Sequence, residues 1–284
     1  MSPLALTISL LYGGVVGVVS GLVGVGGGIV MVPLLYLLFA HPEWSGIFIP
    51  PEYHAVVAHA TSLFVIVPTA VTGILAYHRS RLVVWRVALP MAVTAVLAAM
   101  GGVQVAVRLP PELLKAAFGA FLIASGMNLF KVSRPGEELG AGTADHLAIP
   151  ILGGILVGFI TSLLGVGGGI VAIPILIYLV RLDVKKVAAT SLGIVVFSAL
   201  TASVTYAITG WGHPDLPQGS VGYIFLPAGF ALLPGAVLTA RFGVRLNQKL
   251  NPRTLKTIFG VVFLLIGLRL FLSNVQGAFG WASP

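Results

Sequence analysis

Two segments of this chain are near copies of one another, and each lies inside a long apolar run. Residues 21–35 read GLVGVGGGIVMVPLL and residues 162–176 read SLLGVGGGIVAIPIL. Gly24, Gly26, Gly27 and Gly28 map onto Gly165, Gly167, Gly168 and Gly169, and Pro33 maps onto Pro174, all 141 residues apart. The apolar runs around them, 4–40 and 147–180, exceed 30 residues. That is too long for one ordinary spanning helix of roughly 20 residues. Each run therefore reads as two helical pieces joined by a glycine turn.

Further matches follow in the same order. AHATSL around Thr61 and Ser62 answers VAATSL around Thr190 and Ser191, and Tyr77 and Tyr206 follow at equal distance. Leu89-Pro90 is matched with Leu226-Pro227, Leu114-Lys115 with Leu255-Lys256, Phe118-Gly119 with Phe259-Gly260, and Gly126 with Gly267. The chain is a tandem duplication: repeat 1 over 1–135, a cytoplasmic linker over 136–146, and repeat 2 over 147–284. After its glycine-broken run, each repeat holds three more apolar stretches, 55–77, 84–107 and 113–130 in the first, 187–209, 221–240 and 255–273 in the second.

Composition fixes the solvent. Only 8% of residues are charged and 57% are apolar, with a mean hydropathy of +1.04. Soluble domains carry roughly 25% charged residues, so this chain needs an apolar medium over most of its surface. The net charge of +8 would suggest nucleic acid in a soluble protein. Here the basic residues sit in short links, so they read as topology and no nucleic-acid partner is expected. The absence of cysteine excludes thiol chemistry, disulfides and Cys-ligated metal. No basic segment precedes the first apolar run, so a cleaved signal peptide is not expected.

The basic links alternate in a telling way. Arg79, Arg81 and Arg86 have no counterparts in 210–220, whereas Arg181, Lys185 and Lys186 have none in 41–54. Cytoplasmic links are enriched in Lys and Arg, so the two repeats are expected to insert upside down relative to each other. Inversion requires an odd number of crossings per repeat, which the four stretches provide only if the glycine-broken run goes in and comes back. Thirteen of the sixteen basic residues then lie in cytoplasmic links. The expected fold class is an all-α polytopic membrane protein with two inverted repeats, each a glycine-broken helical hairpin plus three transmembrane helices, a plan used by transporters. A parallel four-plus-four arrangement is the alternative.

Irregular backbone survives at membrane depth only beside a watery cavity or buried in protein. Glycine lets a ligand approach the main chain, and a helix resuming after a turn presents unpaired N–H groups and a positive dipole end. Such an end binds anions without a charged side chain. The substrate-binding candidates are therefore Gly24, Gly26, Gly27, Gly28, Gly165, Gly167, Gly168 and Gly169, joined by the hydroxyls of Thr61, Ser62, Thr190 and Ser191. Close packing explains Gly13, Gly17 and Gly21 at spacing four equally well, and the hydroxyls could instead bond their own helix. Ser20, Thr161 and Ser162 are weaker candidates. His59, whose counterpart is Ala188, reads first as a histidine near the water boundary, with an intramembrane role as the alternative. Asn128 and Gln104 read as interhelical polar contacts, and Arg269 as snorkelling to an interface. No carboxylate falls mid-membrane, and no H-E-x-x-H, Walker A, dinucleotide fingerprint or nucleophile–base set is present. No enzyme activity, cofactor or metal is expected.

The two GVGGG-x-x-x-x-P segments, with the paired Thr-Ser-Leu, Phe-Gly and Gly positions, resemble the TauE/SafE family of sulfite exporter-like membrane permeases. The resemblance implies secondary transport, as an exporter, of a small sulfur-containing anion such as sulfite or an organosulfonate, in the cell inner (plasma) membrane as a multi-pass protein. A passive anion channel is the alternative. The partners expected are the anion and the bilayer, and homo-oligomer formation is compatible with the sequence. Link 41–54 is longer than its counterpart 181–186 and is expected to form an outer cap.

Overall fold

The computed structural model describes residues 1–78, 82–131, 148–182, 184–249 and 252–278. The linker expected over 136–146, and Arg79 and Arg81, lie outside the described residues, as do the side chains of Asn128, Lys185, Arg253 and Lys256. In chain order the first part holds α1 (Pro3–Val23), α2 (Gly28–Ala40), a short α3 (Pro42–Ser45), α4 (His54–His78), α5 (Trp85–Ala106) and α6 (Pro111–Lys131). The second holds α7 (Ala148–Leu164), α8 (Gly169–Pro174) continued by a π-helical turn (Ile175–Leu179), α9 (Val184–Thr209), a small hairpin of β1 (Ser220–Val221) and β2 (Ile224–Phe225), α10 (Leu226–Lys249) and α11 (Pro252–Ala278).

Local chemistry sets the boundaries that matter. Ser2 caps α1 by accepting the N–H of Ala5 at 3.1 Å, and Pro3 occupies the first turn, where its missing N–H costs nothing. The helix stops because Gly24 turns left-handed (φ 78°) and returns its N–H to Ser20 O. Gly26 and Gly27 also have positive φ, and Gly165, Gly167 and Gly168 repeat the pattern at the end of α7. The glycine-broken runs are thus two helical pieces each, as expected. Link 41–54 carries α3 and a 3-10 turn over Pro51–Tyr53, and Ser2 donates to Trp44 O at 2.6 Å, tying this cap to the chain start.

The helices pack by exchange between the repeats. α1 lies along α10 and α7 along α5, while α4 meets α9 and α6 meets α11. Small residues set these seams, since close backbone approach replaces the hydrophobic driving force absent between helices in lipid. Gly13, Gly17 and Gly21 face the main chain of Leu232, Ala236 and Ala240 in turn, so α1 and α10 run parallel. Gly154 and Gly158 face Met91 and Ala95, so α5 and α7 also run parallel. Gly119 faces Gly267 and Phe271 whereas Gly126 faces Gly260 and Leu264, so α6 and α11 run antiparallel.

These contacts correct one sequence match. Leu232 and Ala236 answer Met91 and Ala95, which lie 141 residues earlier. Leu89-Pro90 and Leu226-Pro227 are 137 apart, one helical turn out of register. A proline is tolerated at several depths in a membrane helix where neighbours satisfy the freed carbonyl, so it is a poor register marker.

Leu11, Leu97, Leu238 and Leu265 point outward, each about two-thirds exposed or more (66–70%). Contiguous apolar surface of this kind marks a membrane contact. Among the described residues, five helices are long and apolar enough to cross a bilayer: Pro3–Val23, Pro51–Tyr77, Trp85–Ala106, Lys186–Thr209 and Leu226–Lys249. The protein is an all-α membrane protein with α4 and α9 at its centre, where Leu63, Ile66, Leu192 and Val195 are fully buried.

Candidate functional site

The two glycine turns lie against one another in a crossed arrangement. A Cβ on Gly28, the first residue of α2, would sit 2.5 Å from Gly165 O and 2.8 Å from Val166 Cα. A Cβ on Gly169, the first residue of α8, would sit 2.5 Å from Gly24 O. The amide end of each resumed helix therefore abuts the carbonyl end of the other turn. Gly26 and Gly167 approach beside Ile66, with a Cβ on Gly26 falling 3.7 Å from Gly167 Cα. Positive φ and this spacing together leave room for glycine alone.

The repeated hydroxyls hold this arrangement in matched pairs. Ser62 donates to Gly165 O at 2.8 Å, and Ser191 donates to Gly24 O at 2.9 Å. Thr61 accepts the N–H of Phe225 at 3.0 Å, and Thr190 accepts that of Val84 at 3.1 Å. Tyr77 donates to Gly21 O at 3.0 Å and Tyr206 to Ser162 O at 2.8 Å. All four Thr and Ser side chains are fully buried. They reach across to the other repeat and do not bond the preceding helical turn. In this arrangement the Ser62 and Ser191 protons are already given to carbonyls. Thr61 and Thr190 use a lone pair in these bonds, and their hydroxyl protons find no acceptor among the described residues.

The turns leave backbone donors over. Among the described residues, the N–H groups of Gly26, Gly27 and Gly28, and of Gly167, Gly168 and Gly169, have no backbone acceptor. Ser20, one turn before Gly24 and against Gly27, is 1% exposed and its hydroxyl also lacks a partner. Its counterpart Thr161 bonds Val157 O at 2.5 Å, and Ser162 bonds Gly158 O at 3.0 Å. A buried polar group without a partner costs about 1–3 kcal/mol, and here several lie in two turns that touch. Ser20 and Thr161 occupy matching positions, and packing leaves only the serine without a partner.

His59 packs inside the protein and not on its surface. It is fully buried, Nδ1 lies 3.0 Å from Leu163 O, and Nε2 meets the Tyr36 hydroxyl. Leu163 directly precedes the end of α7. The matching carbonyl, Leu22 O, is instead bonded by Asn247 Nδ2 at 2.5 Å. Gln104 donates to Thr209 at 3.1 Å and joins α5 to α9, as its sequence setting suggested. Arg269 is exposed on α11. No group of three or more metal-ligating side chains occurs among the described residues.

A family model described as Sulfite exporter TauE/SafE matches residues 9–270. Curated relatives span almost the whole chain. A probable membrane transporter protein of Methanocaldococcus jannaschii is 27% identical over 95% of this chain and 96% of its own length. One of Haemophilus influenzae is 26% identical over 93% and 97%. One of Bacillus subtilis is 27% identical over 96% and 99%. No solved structure matches the chain.

Proposed function

The chain belongs to the sulfite exporter TauE/SafE family, and from that premise we propose that this membrane transporter exports a small sulfur-containing anion, sulfite or an organosulfonate, across the plasma membrane by alternating access. The observation that carries the reading is that two touching, crossed turns hold unpaired glycine N–H groups, with the partnerless, buried Ser20 hydroxyl beside Gly27. Donors without acceptors, at the positive ends of two helical segments, suit a ligand made of oxygen acceptors bearing negative charge. Gly24 and Gly165 form the turns. Gly26, Gly27 and Gly28, with Gly167, Gly168 and Gly169, offer the N–H groups, and Thr61 and Thr190 supply free hydroxyl protons. Ser62 and Ser191 act by holding the turn carbonyls.

Inverted repeats over 1–135 and 147–284 supply the moving parts. The antiparallel packing of α6 on its own repeat mate α11 supports inversion, because mates related by an axis along the membrane normal would run parallel. An anion that crossed alone would be driven outward by an inside-negative potential, at about 2.3 kcal/mol per charge per 100 mV.

The test is counterflow in proteoliposomes across sulfite, thiosulfate, sulfoacetate, taurine and simple carboxylates. Saturable exchange of a sulfur-containing anion is expected, and it should vanish in Gly27→Leu and Gly168→Leu proteins that still insert. Flux without exchange coupling would mark a pore and defeat alternating access. Normal exchange by both variants would remove the glycine site.

A further inference from the structure

We propose that His59 carries a proton with the transported anion, which makes the transporter a proton–anion symporter whose proton site lies in one repeat only. This rests on the transport reading above. The geometry begins with the ring nitrogens. Leu163 O can only accept, so Nδ1 carries a hydrogen, and the neutral ring takes the Tyr36 O–H at Nε2. His59 also abuts the second glycine turn, since a Cβ on Gly165 would lie 2.5 Å from His59 Cα. The imidazole thus joins α4, α2 and the end of α7 beside the unpaired N–H groups.

The comparison between repeats argues that this histidine does more than bond a carbonyl. The equivalent carbonyl, Leu22 O, is bonded by the amide of Asn247, which cannot titrate. The counterparts of His59 and Tyr36 are Ala188 and Ile177. One half of a duplicated structure therefore solves the same bonding problem without an ionisable group. An ionisable side chain inside the membrane is costly and functional by default.

The groups facing the ring are few. From α2 comes Tyr36, and from α6 come Phe118, with ring centroids 6.0 Å apart, and Lys115, whose Nζ lies 5.7 Å from the Tyr36 ring centroid. From α7 comes the Leu163 carbonyl. No carboxylate stands among them to offset an imidazolium, so its charge is balanced only when an anion occupies the neighbouring turns. Proton and anion binding then favour each other by the same factor in either direction. A proton added to the Nε2 lone pair turns that nitrogen into a donor. Tyr36 must then rotate its hydrogen away from the ring, where it becomes available to an anion oxygen. One proton and one monoanion cross together with no net charge moved, so export runs down the anion's own concentration gradient rather than the membrane potential, and the proton leaves Nε2 on the far side.

The experiment uses the full chain in sealed vesicles with isethionate, whose sulfonate stays ionised and brings no proton of its own. With one proton per anion, a one-unit pH step supports about tenfold accumulation. Wild-type vesicles should approach it, with isethionate-dependent acidification of the lumen read by a trapped dye. His59→Asn keeps a donor for Leu163 O but cannot take the proton. It should accumulate no isethionate against the step, while counterflow persists at a measurable rate. Tyr36→Phe should lower accumulation in the same direction. Accumulation at the wild-type level by both variants overturns the proposal. So does wild-type counterflow that ignores the pH step, and that result would leave the transport reading standing. Absence of counterflow for every anion tested would instead remove the transport reading and this inference with it.

Discussion

Removing one hydroxyl from each turn brace measures what holds the crossed glycine segments together. In Ser191→Ala the bond to Gly24 O (2.9 Å) is lost, and in Ser62→Ala the bond to Gly165 O (2.8 Å). Both side chains are fully buried and alanine keeps the Cβ, so almost no cavity opens. The cost is the carbonyl left without a partner. In soluble proteins that is about 1–3 kcal/mol. Interhelical bonds in membranes average about 0.6 and reach about 1.7 kcal/mol, because the unfolded reference also finds partners. Gly24 and Gly165 are themselves buried, so about 1–1.7 kcal/mol is expected for each, and about 1.4 kcal/mol is tenfold in the folded-to-unfolded ratio. The two losses should match within about 0.5 kcal/mol, since the braces are equivalent under exchange of the repeats. The double variant should deviate from additivity, because the turns touch. Tryptophan fluorescence through an SDS titration of mixed micelles reads all three values. Two neutral variants, or two unlike ones, would refute the claim that these hydroxyls fix the turns.

Two further outcomes follow from the same geometry. Gly101 and Gly102 are adjacent on α5, yet a Cβ at Gly101 meets nothing within 4 Å while one at Gly102 lies 2.6 Å from Phe159 O. Gly101→Leu should therefore purify as a stable monodisperse protein, and Gly102→Leu should lose about 1–3 kcal/mol or more by overpacking, which a thermal shift in detergent will register. If the repeats are inverted, a reporter fused after Arg245 will read cytoplasmic and one placed in link 41–54 periplasmic; the reverse pair of locations would contradict the basic-residue argument.

The sequence reveals features that depend on composition and local order, and hides those that depend on distant partners. The glycine turns were legible because an unbroken run of apolar residues cannot be one helix at that length, and because the same break is written twice. Their hydroxyl partners were legible as residues but not as bonds. Ser62 lies 103 positions from Gly165 and Ser191 lies 167 from Gly24, and no local pattern announces a contact across repeats. His59 is hidden for the same reason: five residues into an apolar helix, nothing local announces Leu163, 104 residues away, as its partner. The four-residue slip at Pro90 and Pro227 shows the limit of motif matching inside a helix, where one turn of displacement keeps the same face outward.

Alternating access in an inverted repeat has a consequence for which contacts can set its resting state. If the second state arises by the repeats exchanging conformations, contacts that map onto one another are equally present in both and cannot bias the balance. Ser62 with Ser191, Thr61 with Thr190 and Tyr77 with Tyr206 are such pairs. The bias must come from what is unmatched: the His59–Tyr36 bond, the Asn247 bond to Leu22 O and the cap built from link 41–54. The chain has no cysteine, so Val25→Cys and Val166→Cys, one in each turn, report access to the two turns without background. Losing the Tyr36 bond in His59→Asn, at about 0.6–1.7 kcal/mol, should change the ratio of their labelling rates by an impermeant maleimide between about threefold and about eighteenfold. A ratio that stays put while the mapped pairs remain intact would mean that the bias lies elsewhere, with the cap as the next element to shorten.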